Sequence, residues 1–351
     1  ELTLDGDGYR RRDGSLHIEG GGRHARYGPV RLTLDGRIDR PKADVLLARP
    51  MDALGLRDVR LLLDPDAAGY AFTAEGGSTL GPFTGRGAVL LPPGNGQAVI
   101  RVARLDVAAV TANGDVRPVP GGLDGRLAVT GPVTGAITLS PVRDVQQVVL
   151  ALEARNARFD GPSRIDVRQG KLDATLLLDP AGTSVNATMQ ARGLQIGGVR
   201  IGRLAANADL VDGRGKVRAN VSGQRGRLFD LQAEAQVEPD RIRLSASGLI
   251  DRRPIRITRA AVLSRTDDGW RLSPATISFG GGSAQLAGRA GGEAVEIEAR
   301  LDRLPLSLLD IAYDNLGLGG TASGSLSYSQ PRGGVRKQDP DLAQRHIRDQ
   351  L

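Results

Sequence analysis

The chain contains no cysteine, which excludes disulfides, thiolate nucleophiles and cysteine-ligated metals together. Its three histidines, His17, His24 and His346, are too few and too scattered for a metal set or an imidazole-based catalytic site. Aromatic residues are also scarce, with five Phe, five Tyr and one Trp among 351 residues. A compact β core of that size ordinarily packs on such rings, each of which buries about 150–250 Å². Their shortage implies a thin core or an interior that is not filled, although a codon bias toward Ala, Gly, Arg and Val produces the same composition. No apolar run approaches the ~20 residues that a membrane-spanning helix requires. The chain opens on Glu1 without a signal peptide, inside an apparent strand, and is expected to be a piece of something longer.

Charge is plentiful but evenly spread. The formal net charge is +7, and the arginines run the whole length of the chain. The one tight cluster, Arg10-Arg11-Arg12, runs into an Asp-Gly pair and has no interleaved aromatics. That pattern reads as a solvated face, so no nucleic-acid partner is expected.

The positive signal is alternation. Successive side chains of a strand point to opposite faces, so a strict apolar–polar alternation marks a strand with one buried face. Val185, Ala187, Met189 and Ala191 alternate with Asn186, Thr188, Gln190 and Arg192. Val217, Ala219 and Val221 alternate with Lys216, Arg218 and Asn220. Leu231, Ala233, Ala235 and Val237 alternate with Gln232, Glu234, Gln236 and Glu238. Ile242, Leu244 and Ala246 alternate with Arg241, Arg243 and Ser245, and Val295, Ile297, Ala299 and Leu301 with Glu296, Glu298, Arg300 and Asp302. A period of 3.6 would smear both sets around a helix. These eighteen apolar residues are the candidate lining of an apolar surface.

Turn chemistry agrees with the strand reading. Asp-Gly pairs stand at 5–6, 7–8, 13–14, 35–36, 124–125, 160–161, 212–213 and 268–269, and Asn-Gly pairs at 95–96 and 113–114. Such pairs supply the positive φ of tight hairpins. Asp64-Pro65, Asp179-Pro180 and Glu238-Pro239 read as corners. The spacing predicts an all-β, antiparallel meander of roughly 25 strands over residues 1–330, a sheet too wide to stay flat and therefore expected to curl into an open groove. Internal echoes are loose: Leu61-Leu62-Leu63-Asp64-Pro65 returns at 176–180, and Gly121–Leu127 is echoed at 319–326. No regular solenoid period emerges. Two stretches, Pro305–Tyr313 and Pro50–Leu56, break the alternation and are expected to be short helices covering a sheet edge or groove. Residues 331–351 are charged and aperiodic, and are expected to be a disordered or weakly helical tail.

Catalytic motifs are missing. The sequence has no Gly-x-Ser-x-Gly elbow, P-loop or dinucleotide fingerprint. Asp5-Gly6-Asp7-Gly8 lacks the later ligands and closing Glu of a calcium loop. Neither an enzyme, a cofactor nor a metal is expected. What remains is an aliphatic face with hardly an aromatic on it, a surface suited to acyl chains.

Several segments carry a family resemblance. They are Gly122–Gly131, the run Asp267-Asp268-Gly269-Trp270-Arg271-Leu272 with Phe279-Gly280-Gly281-Gly282, and Arg303–Leu309 followed by Gly319-Gly320 and Gly324-Ser325-Leu326. With these, residues 121–329 resemble the periplasmic part of the TamB family, within the AsmA-like group of bridge-type lipid-transfer proteins. The resemblance implies a long curled sheet with a hydrophobic interior, in the periplasm of a Gram-negative bacterium. It implies phospholipid acyl chains as ligand and a role in phospholipid transport or outer-membrane protein assembly. It also implies an inner-membrane anchor and a C-terminal region that engages a TamA-like outer-membrane barrel, neither of which lies within this sequence. The alternative expectation, a secreted or surface adhesin or carbohydrate-binding protein, calls for exposed aromatics and a more regular repeat.

Overall fold

In a computed structural model of the protein, the alternating segments form 24 strands, and every pairing among the described residues is antiparallel. The structure describes residues 2–24, 28–50, 55–78, 81–94, 96–108, 110–159, 164–179, 182–196, 198–291, 294–308 and 319–331. The chain divides into two compact units, Glu1–Gln224 and Arg225–Leu351.

Unit 1 is a plain meander. It begins with β1 (Leu2–Arg10), β2 (Leu16–His24), β3 (Gly28–Gly36), β4 (Pro41–Leu47) and β5 (Arg57–Asp66). Next come β6 (Gly69–Ser78), β7 (Gly81–Leu90) and β8 (Val99–Val107), then β9 (Val110–Val119), β10 (Gly122–Thr130) and β11 (Val133–Val142). Longer strands follow: β12 (Val145–Phe159), β13 (Ile165–Asp179), β14 (Gly182–Ile196) and β15 (Val199–Val211). The unit closes with β16 (Arg214–Arg225).

Tight hairpins join these strands where two successive residues adopt left-handed backbone. Arg143-Asp144 has φ of 49° and 64°, and Asp212-Gly213 has 52° and 70°, the geometry that matches the right-handed twist of the flanking strands. The turn reading of four other pairs is corrected. Asp5-Gly6 and Asp7-Gly8 lie inside β1, Asn113-Gly114 inside β9 and Asp124-Gly125 inside β10. Gly114 and Gly125 have φ of 152° and 154°, and Gly135 on β11 has 144°. Only glycine visits that region readily, and in a strand it marks a bend. A Cβ at any of the three would strike the carbonyl oxygen of the adjacent strand, belonging to Arg126, Asp115 and Ala151 respectively. The sheet is most strongly curled at this point, since β9 approaches β11, and β10 approaches β12, at Cα separations of 8 Å or less. Two flat inter-strand spacings would total about 9.6 Å.

Unit 2 contains β17 (Arg227–Glu238), β18 (Arg241–Ile250), β19 (Arg253–Arg259), β20 (Ala261–Thr266) and β21 (Gly269–Phe279), followed by β22 (Gly282–Gly291), β23 (Ala294–Pro305) and β24 (Thr321–Pro331). β19 and β20 together form one interrupted strand. Both pair with β18 on one side and β21 on the other. β21 is irregular between Leu272 and Ala275, where Pro274 has no N–H to give the ladder.

The described residues contain no α-helix. Pro305 ends β23 instead of opening a helix, and Leu306–Leu308 is a single 3-10 turn. It does cover the sheet: Leu308 packs against the buried cluster Ile250, Phe279, Ala284 and Leu304. The remainder of that excursion, residues 51–54 of the other one, and residues 332–351 lie outside the described residues.

Candidate functional site: one apolar face

Antiparallel pairing puts directly opposite residues on the same face, so strand registers can be followed from one ladder to the next. Starting at Ile18 on β2, the opposite residue is Leu34, then Ala43, Leu63 and Phe72. The row continues through Gly87, Val102, Gly114, Leu127 and Ile137. It ends through Leu150, Ala174, Ala187, Ala208 and Val217. A second row runs beside it from Gly20 through Leu32, Val45, Leu61, Ala74, Gly85 and Leu105. This row proceeds through Ala112, Val129, Gly135, Leu152 and Leu172 to Met189, Ala206 and Ala219. Across fifteen strands, β2 to β16, neither row meets a charged or hydrogen-bonding side chain.

The seven candidate residues of unit 1 fall on this face. Ala187 and Val217 sit in the first row, Met189 and Ala219 in the second. Val185 lies one step along, opposite Leu176 and Leu210, and Ala191 and Val221 both oppose Leu204. In unit 2, Val237, Ile242, Leu263, Leu272, Gly288 and Ile297 form one row. Ala233 opposes Ala246, Ala235 opposes Leu244, and Leu231 opposes Gly248. Val295 opposes Ala290, Ala299 opposes Leu286, and Leu301 opposes Ala284. Of the eighteen, only Ala191 is buried, Met189 and Ile297 are exposed at 39% and 45%, and the rest are half-buried. The face is apolar yet largely uncovered.

Sequence reasoning missed most of this face between β2 and β13. Glycines occupy several row positions there and hide the alternation, and Leu61-Leu62-Leu63 is apolar on both faces. At Asn156 (φ 49°) on β12 and Gly193 (φ 63°) on β14, left-handed residues interrupt the strands. Ala157, Val167 and Leu194 beyond them thereby pack with Ala154 and Leu204 on the same face. All five phenylalanines lie on apolar faces, Phe72, Phe83 and Phe159 on that of unit 1 and Phe229 and Phe279 on that of unit 2. Phe72 and Phe83 lie over Gly87 and Gly76, where a Cβ would meet the ring, and Phe159, Phe229 and Phe279 join the apolar clusters.

The opposite face is charged. Arg101 faces Asp115 at 3.1 Å, Arg158 faces Asp166 at 2.9 Å, and Arg289 faces Glu296 at 2.6 Å, each pair directly across a ladder. Hydrogen bonds from Arg158 and Arg60 hold the Asp166 and Asp44 carboxyls below their ordinary pKa. Exposed pairs of this kind are screened by solvent and add little to stability; they keep this face wet. Among the described residues no group of His, Asp and Glu could hold a metal.

No family model, no curated protein and no solved structure matches the chain. The functional reading therefore rests on the face itself.

Proposed function

We propose that this chain shields the acyl chains of phospholipids along its apolar sheet face, as a segment of a TamB-like, AsmA-like protein in the periplasm of a Gram-negative envelope. In that setting it would support phospholipid transport or outer-membrane protein assembly, with a membrane anchor and a TamA-like barrel engaged by parts outside this sequence. The observation that carries the reading is the pair of rows in unit 1, apolar or glycine at every step and for the most part only half covered. Each methylene removed from water contributes about 0.8 kcal/mol, so tens of methylenes along such a face offset much of the cost of leaving a bilayer. Ionic head groups would be left to solvent, since the face offers them no partner.

The test is purification from a Gram-negative host followed by lipid extraction and mass spectrometry, with photo-crosslinking probes at Ala219 and Ala235. Phospholipid adducts are expected at both positions and not at the opposite-face positions Arg218 and Glu234. Absence of phospholipid, together with no adduct at either apolar position, sinks the proposal.

A further inference from the structure

We infer that the apolar face of unit 1 comprises two separate acyl-binding stretches, divided at β9–β11 by a seam that the sheet closes over itself; this rests on the acyl-shielding reading. Ala112, Val116, Leu127 and Val129 are 6%, 5%, 8% and 4% exposed, whereas the flanking positions of the two rows, Ala43 and Ala174 apart, are half-open and Met189 reaches 39%. The cover comes from the sheet's own side chains. Ile100 and Val102 on β8 and Ile137 and Leu152 on β11 and β12 pack onto the same cluster.

Two devices produce the closure. The positive-φ glycines Gly114, Gly125 and Gly135 fall on three consecutive strands and bend the sheet there. The Gln146 side chain then straps β12 to β10, binding both the N–H and the C=O of Leu123. Side chains packed at interior density leave no room for a hydrocarbon tail. A tail moving along the face must therefore stop at the seam or open it. One stretch spans β2–β7 and includes Leu34 and Leu63; the other spans β13–β16 and includes Ala206 and Ala219. The occupant of both is hydrocarbon, because neither stretch presents a charge or a hydrogen-bonding group along the two rows.

The natural absence of cysteine permits a direct test with single cysteines at Leu63, Val129 and Ala219 in the full chain. Alkylation by N-ethylmaleimide is followed in lipid-free protein and after addition of phosphatidylglycerol vesicles. Cysteines at Leu63 and Ala219 are expected to react fast without lipid and to be protected by it. The Val129→Cys site is expected to react about tenfold or more slowly in both conditions, because modification there requires local opening. Ala112→Cys, a near-isosteric change in the same seam, is to repeat that result should Val129→Cys fail to fold. Seam cysteines that react as fast as the flanking ones in lipid-free protein overturn the inference. Flanking cysteines indifferent to lipid, with the seam still slow, refute acyl shielding and leave the closure standing.

Discussion

Gln146 is a polar side chain that is 6% exposed on the apolar side of β12. Its Oε1 accepts from the Leu123 N–H at 2.6 Å, and its Nε2 donates to the carbonyls of Leu123 at 3.1 Å and Gln147 at 2.8 Å. The β10–β11 ladder runs out at Gly125 and Leu139, so the next partner for Leu123 would be Pro141, which has no N–H. Gln146, paired with Pro141 across the next ladder, supplies the missing donor and acceptor. Replacing it by Leu leaves two backbone groups of Leu123 unpaired and is expected to destabilise unit 1 by about 1–3 kcal/mol. Urea unfolding should show a lowered midpoint at unchanged slope, with Gln147→Leu near wild type; equal midpoints for the two would refute the strap. His17 is the corresponding case on the wet face. It stands between Tyr9 and Asp35 in register, with Nδ1 3.0 Å from Asp35 and Nε2 3.3 Å from Glu19. Its ring centroid is 5.1 Å from that of Tyr9, and Arg11 shares Asp35 at 2.9 Å. The bond to Asp35 raises the His17 pKa above 6.5, against the opposing effect of desolvation. The stability it contributes is therefore complete below 6.5 and lost as pH climbs through the raised value. Relative to His17→Gln, wild type should be more stable at about pH 5.5 and should lose that margin by about pH 8.5. A margin independent of pH in paired denaturation curves counts against this account.

At the scale of elements, alternation made the strands legible because its period is a direct imprint of the pleat. β16, β17 and β18 were readable nearly residue by residue, since glycine takes apolar-face positions only toward strand ends, at Gly215, Gly223 and Gly248. β9 and β10 were not. Their Asn-Gly and Asp-Gly pairs carry hairpin chemistry, yet Gly114 and Gly125 use their freedom to bend a strand instead of ending it. Whether such a glycine turns the chain or curls the sheet depends on what lies across the ladder, and the linear sequence does not state register. The same limit hid the seam, because nothing in the linear sequence shows that Gly114, Gly125 and Gly135 fall on neighbouring strands. Gln146 was equally invisible, because its role is set by a proline on one strand and a leucine two strands away. Pro305 illustrates the converse error: a proline suited to a helix start also suits a strand end, and here the ladder to Thr321 claims it.

At the scale of the molecule, the two faces of unit 1 should respond oppositely to one added charge, and the response depends on what fills the apolar side. Ala206 lies in the second row, half-buried, while its neighbour Asn207 points outward and is exposed. A lysine at 207 joins a face that already carries Arg218 opposite it and Asp209 two residues on, and surface changes of this kind stay within about 0.5 kcal/mol. A lysine at 206 has two outcomes. Against water, its long stem lies along the aliphatic row and its ammonium reaches solvent, at similarly small cost. Against hydrocarbon, the ammonium meets a medium where a charge costs about 2.5–3.5 kcal/mol. Ala206→Lys should therefore lower the unfolding midpoint far more in lipid-loaded protein than in stripped protein, and should reduce co-purifying phospholipid. Asn207→Lys should do neither. A penalty for Ala206→Lys that is the same with and without lipid would mean that the row is covered by protein or left to water, and hydrocarbon would not be its natural partner.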